Sequence, residues 1–190
     1  LNLVHRYEKG EIEFILKSSF DHYLKKKQNK NIRIMASFSH RVHILKRLGF
    51  VEKTGELTEK GRFAMYIYAH ELLIADVFCS DLHKELTEKE IILLIASIMF
   101  EGRRGTRYQY GLSKRDTEKL CKKFNKSKVL AKKLNMNNVS HLNKIIYSWV
   151  DGVTFEKLLT FSTMQEGDYI RLFRQVIDMM RQIKRATADY

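Results

Sequence analysis

Proline is absent from this 190-residue sequence. Helix interiors exclude proline more strongly than any other residue, so its absence favours a mainly helical fold. Cysteine is scarce as well. Cys79 and Cys121 stand far apart and match neither a C-x-x-C pair nor a disulfide framework, so they read as buried thiols in a reducing compartment. No long hydrophobic run occurs: the longest, Ile91 to Phe100, falls well short of the ~18 residues that cross a bilayer. With no secretory pattern at its start, the chain is expected to be intracellular and cytoplasmic, with no membrane partner. None of the nine glycines is followed by lysine, which excludes a Walker A phosphate loop, and no G-x-G-x-x-G occurs. The chain is therefore expected to hold no cofactor and to be catalytically inactive alone. It begins at Leu1 rather than methionine, the expected mark of a piece of something larger.

What is abundant is positive charge. Apolar residues make up 44% and charged residues 30%, which fits a globular protein rather than a disordered one. Lys and Arg number 35 against 22 Asp and Glu, a net charge of +13, and that balance favours polyanionic partners. The excess is blocky: +7 over residues 1–50, −4 over 51–100, +10 over 101–150 and zero over 151–190. Two basic blocks flanking an acidic one describe a surface with a preferred face for phosphate.

Apolar spacing of three and four predicts a helix over 11–27 and a second over 32–48, closed by Gly49. Residues 49–61 then read as two short apolar strands around a Thr-Gly turn, followed by Thr58 poised to cap a helix. That order resembles winged-helix domains. An apolar helix is predicted over 62–78, and Thr87 with Glu90 forms a capping box ahead of the all-round apolar Ile91–Phe100. The segment Gly102–Gly111 reads as a mobile loop carrying Arg103, Arg104, Arg107, Tyr108 and Tyr110. Ser113 and Asp116 cap a basic helix running to about Leu134, which includes Lys122 and Lys123. Further helices are predicted over 139–150, 155–161 and 167–189, with a break at Asp151-Gly152.

Catalytic chemistry is not legible. His40 and His43 lie three apart on a helix, but no third ligand follows, so no metal site is expected. The last helix is the informative element. Tyr169, Leu172, Phe173, Val176, Met180 and Ile183 form one stripe, and Arg171, Arg174, Gln175, Asp178, Gln182 and Arg185 form another. About 23 residues at ~1.5 Å rise give roughly 35 Å, enough to follow several nucleotides. The arginines of the 102–111 loop and the lysines of the following helix, Lys122 and Lys123 among them, supply sequence-independent attraction for phosphate, and Tyr108 and Tyr110 are candidates for stacking on unpaired bases.

Several motifs carry a resemblance. Trp149-Val150-Asp151-Gly152, Phe155-Glu156-Lys157-Leu158, Glu166-Gly167-Asp168-Tyr169-Ile170-Arg171-Leu172-Phe173-Arg174 and Met180-Arg181-Gln182-Ile183 resemble the C-terminal DSHCT region of superkiller-type and HelY-like DExH helicases of superfamily two. Leu57-Thr58-Glu59-Lys60-Gly61-Arg62 resembles the family's winged-helix junction, and Ile91–Glu101 its apolar helix ending in glutamate. Leu1-Asn2-Leu3-Val4 with Arg6, then Ser18-Ser19-Phe20, resembles the exit from a RecA-like motor domain.

The resemblance implies a mainly α fold: a winged-helix-like part with a small β-hairpin wing, then a helical bundle with a long C-terminal ratchet-like helix. It implies an exit segment over 1–30, a winged helix over 31–80 and a DSHCT-like bundle over 81–190, truncated at its C-terminus. The parent would be an ATP-dependent 3′ to 5′ helicase whose RecA-like motor domains hold ATP and Mg²⁺. Here Arg171, Arg174, Gln175 and Asp178 would contact single-stranded RNA or DNA, and the winged helix would brace the bundle against the motor. The competing expectation is a winged-helix transcription regulator reading duplex DNA through His40, Arg41, His43, Lys46 and Arg47.

Overall fold

A computed structural model describes residues 34–188, with Phe14 and Ser18 besides. The helix predicted over 11–27 and the motor-exit segment over 1–30 lie outside the described residues, Phe14 and Ser18 apart. The chain divides into two units at the Thr58–Glu59 junction.

In the first unit, helix α1 spans Ile34–Arg47 with Lys46 and Arg47 in its last turn, where cations suit the helix dipole. Gly49 takes φ 77°. Its amide donates to the Lys46 carbonyl (3.1 Å) and that of Phe50 to the Leu45 carbonyl (2.9 Å), the αL closure a C-terminal glycine permits. Val51 and Leu57 then form one antiparallel bridge, and Glu52 N–H donates to the Glu56 carbonyl at 2.8 Å. The expected pair of wing strands goes no further, and no strand ladder forms among the described residues. Polar Glu52, Lys53 and Glu56 leave too short an apolar run to extend the pairing.

The second unit is helical. Helices α2 (Glu59–Met65) and α3 (Glu71–Phe78) replace the single helix predicted over 62–78. His70 enters the left-handed region at φ 53° and starts α3 afresh. The Tyr68 amide, freed by the break, donates to the Gln182 side-chain oxygen at 2.9 Å. A 3-10 helix over Asp81–Glu85 leads to α4 (Glu88–Met99), which opens with the expected capping box: Thr87 N–H donates to Glu90 Oε2 and Glu90 N–H to Thr87 Oγ1.

Leu93, Leu94, Ile95, Ala96 and Ile98 are all buried, so α4 is the central element, packed against α7 (Met136–Val150) and α9 (Glu166–Ala188). The predicted basic helix also splits, into α5 (Lys114–Phe124) and α6 (Lys128–Lys133). Ser127 restarts it: its Oγ accepts from Leu130 N–H at 3.0 Å and donates to the Asp76 carboxylate on α3. Gly152, at φ 78°, ends α7, and α8 is short (Phe155–Leu159).

On α9 the buried stripe is Tyr169, Leu172, Phe173, Val176, Met179, Ile183 and Ala186. Two expectations are corrected here. Met180 is 41% exposed and Met179 packs in its place, because helical spacing between Val176 and Ile183 admits either. Gln182, expected on the polar stripe, is buried and bonded to Tyr68.

Candidate nucleic-acid interface

The loop after α4 starts where Asn138 Nδ2 donates to the carbonyls of Ser97 and Phe100, both at 3.0 Å. It is anchored along its length, which corrects the expectation of a mobile segment. Arg107 N–H donates to Thr163 Oγ1 and Thr163 N–H to the Arg107 carbonyl, both at 3.0 Å. Gln109 N–H donates to the Phe161 carbonyl at 2.8 Å, and Tyr108 bridges to Ser162. Farther on, Asn143 Oδ1 accepts from both Gly111 N–H (2.6 Å) and Leu112 N–H (3.2 Å). Gly111 is required at that point: an added Cβ would lie 2.9 Å from the Lys144 Cα, backbone that cannot swing aside.

Tyr108 stacks on His141 at 4.4 Å and meets Phe100 edge-on at 6.3 Å. It is therefore part of the loop's anchorage, not an open platform for a base; Tyr110 remains 65% exposed. Between the anchors, Gly105 (φ 81°) turns the chain and leaves Arg103, Arg104 and Arg107 exposed.

Loop and last helix meet at Asp168. Its Oδ1 accepts from Arg103 Nη2 at 3.2 Å and lies 3.7 Å from Arg171 Nη2. Arg103 Nη1 also donates to Gln165 Oε1 at 3.2 Å. Two of the expected contact residues, from segments 68 positions apart in sequence, thus converge on one oxygen. Arg174 is exposed and Gln175 half-buried, one turn farther along. Ile170 and Ile177 are also exposed on α9, so its solvent side mixes apolar and cationic groups.

Other expected residues are held differently. Asp178 accepts from Gln182 Nε2 at 2.7 Å and so secures the side chain that receives the Tyr68 amide. Lys123 donates to both oxygens of Glu90, at 2.8 and 3.0 Å, tying α5 to the start of α4. Burial works to raise the Glu90 carboxyl, but the bonds from Lys123 and Thr87 outweigh it and hold it below the usual range. Lys122 is exposed on α5.

Sequence reasoning missed Asp168 and Gln165. The available signal was the i, i+3 spacing of Asp168 and Arg171, which places opposite charges on one helix face.

The arrangement presents cationic donors to solvent beside Asp168. Cys79 is exposed and Cys121 half-buried, which corrects the expectation of buried thiols; partial desolvation still pushes both thiols up, away from the reactive thiolate. Among the described residues no group of three or more His, Cys, Asp or Glu could hold a metal ion, and no helix is long and apolar enough to cross a membrane.

A DSHCT (NUC185) domain matches residues 54–189, a span that includes Arg103, Arg104, Arg107, Arg171 and Arg174. The chain belongs to the DSHCT domain family. Among similar proteins, Exosome RNA helicase MTR4 of Homo sapiens is 26% identical over 172 residues, covering 84% of this chain and 16% of that protein. ATP-dependent RNA helicase mtr4 of Schizosaccharomyces pombe is 24% identical over 179 residues, with the same coverage of 84% and 16%. Superkiller complex protein 2 of Homo sapiens is 22% identical over 172 residues, covering 83% and 14%. This DSHCT chain spans about a sixth of the length of these relatives. The kinship with the C-terminal region of superkiller-type DExH helicases, expected from the W-V-D-G and E-G-D-Y-I-R motifs, holds.

Proposed function

We propose that this DSHCT chain is the nucleic-acid-binding C-terminal region of an ATP-dependent 3′ to 5′ helicase and guides the single strand leaving the motor. The observation that carries the reading is the meeting of Arg103 and Arg171 at Asp168, which sets loop and helix cations side by side. Guanidinium groups pair with phosphate and also stack on bases, so they hold a strand without reading its sequence. The relatives are named as RNA helicases, which favours RNA as the strand. Residues 31–80 would act as a winged-helix brace against the RecA-like motor domains of the parent. ATP and Mg²⁺ would be held by those domains, and strand guiding by this chain runs through neither group.

The test is binding of labelled oligonucleotides to the chain, with single-stranded RNA, single-stranded DNA and a blunt duplex compared across salt. Single strands should bind in preference to duplex, with little sequence dependence and a log-log salt slope of about −0.7 per phosphate neutralised. A sharp preference for one duplex sequence would overturn the reading in favour of the regulator.

A further inference from the structure

We infer that Asp168 is a positioning residue: it draws Arg103 and Arg171 into a two-guanidinium fork that takes one backbone phosphate of the strand. The inference rests on the strand-guiding function proposed above. Both arginines approach the same carboxylate oxygen, at 3.2 and 3.7 Å. Their exposures are the reverse of its own: Asp168 is 13% exposed, while Arg103 is 60% and Arg171 55%. The carboxylate is thus sheltered at its end of the pair, and the guanidinium groups reach into solvent.

Each guanidinium carries five N–H donors. The bonds to Gln165 and Asp168 engage two on Arg103 and at most one on Arg171, so donors remain for a second anion.

Asp168 is fixed by the first turn of α9, where its amide donates to the Gln165 carbonyl at 2.9 Å. Arg103 comes from a loop, and a loop arginine left to itself keeps its rotamer freedom until a ligand orders it. Pre-ordering against a fixed carboxylate lowers that cost at the moment of binding. The arrangement keeps a surplus of positive charge: two guanidinium groups against one carboxylate, with Arg104 and Arg107 in the same loop.

A basic surface without built geometry makes the opposite prediction, and the sign of one measurement separates the two. Asp168→Ala removes a negative charge and raises the net charge by one. If only bulk charge matters, single-stranded RNA binds the variant more tightly. If Asp168 positions the fork, RNA binds about fivefold more weakly, the order of one partly exposed ion pair. The salt slope becomes shallower by about 0.7, one phosphate contact.

Fluorescence anisotropy with a labelled single-stranded RNA, run on the full chain across salt, reads both quantities. Arg103→Ala should give the same loss, the double variant little more, and Asp168→Glu should recover part of the affinity. Equal or tighter binding by Asp168→Ala, or additive losses in the double variant, would overturn the inference. Where alanine lowers helicity by circular dichroism, Asp168→Asn keeps the side chain's shape and carries the same test. If Arg171→Ala/Arg174→Ala loses binding while Asp168→Ala does not, the fork falls and the strand-guiding function stands. If the wild-type chain binds no single strand, both fall together.

Discussion

His141 shows how one side chain ties the loop's anchorage to pH. Its ring stacks on Tyr108 at 4.4 Å with an interplanar angle of 9°, and burial lowers its pKa from the ordinary 6.5. A depressed folded-state value means that the unfolded chain takes up the proton first. Stability contributed by the neutral ring is complete above the unfolded value of 6.5 and declines as pH falls below it toward the folded value. Urea midpoints measured from about pH 7.5 to about pH 5.5 should therefore fall with acid in the wild type. His141→Phe retains an aromatic partner for Tyr108 and cannot titrate, so its midpoints should fall less over the same window. Parallel curves for the two proteins would remove His141 as the source.

At the scale of elements, what could be read from sequence was what neighbouring residues decide. The Thr87–Glu90 capping box and the Ser113 cap were legible because donor and acceptor lie three residues apart. The breaks inside the predicted helices 62–78 and 114–134 were not, since each depends on a distant partner: Gln182 for the Tyr68 amide and Asp76 for Ser127. The 102–111 loop looked mobile from its glycines because its anchors, Asn143, Phe161 and Thr163, lie far along the chain. The arginines of the candidate site were legible as charge, but the carboxylate that unites two of them was hidden among ordinary first-turn acids. Gln182 makes the non-local rule testable. Gln182→Ala leaves the Tyr68 amide without its acceptor and frees Asp178 from its partner, at a cost of about 1 kcal/mol, since both bonds are only part-buried. Hydrogen exchange should speed up at Tyr68 more than in α4, and an unchanged Tyr68 rate would show that the α2–α3 break is held by other contacts.

At the scale of the whole molecule, packing and solvent exposure are divided around one helix. The α9 stripe through Tyr169, Leu172, Val176 and Met179 is buried in the bundle, whereas Arg171 and Arg174 are exposed. Replacing both arginines by alanine removes no apolar side chain from that stripe, and alanine is the best helix former. The change does remove the 3.7 Å approach of Arg171 to Asp168, and an exposed pair of that kind is worth about 0–1 kcal/mol. Arg171→Ala/Arg174→Ala should therefore melt close to the wild type and bind single-stranded RNA more weakly. In the helicase proposed as its parent, the consequence separates two readouts. ATP hydrolysis would belong to the motor domains and should persist, while unwinding should fall further, because a strand that is not held between steps slips back. Wild-type unwinding by the double variant would remove α9 from the strand path. A proportional fall in hydrolysis and unwinding would place its action on the motor instead, and failure of the variant to fold would make the two arginines structural.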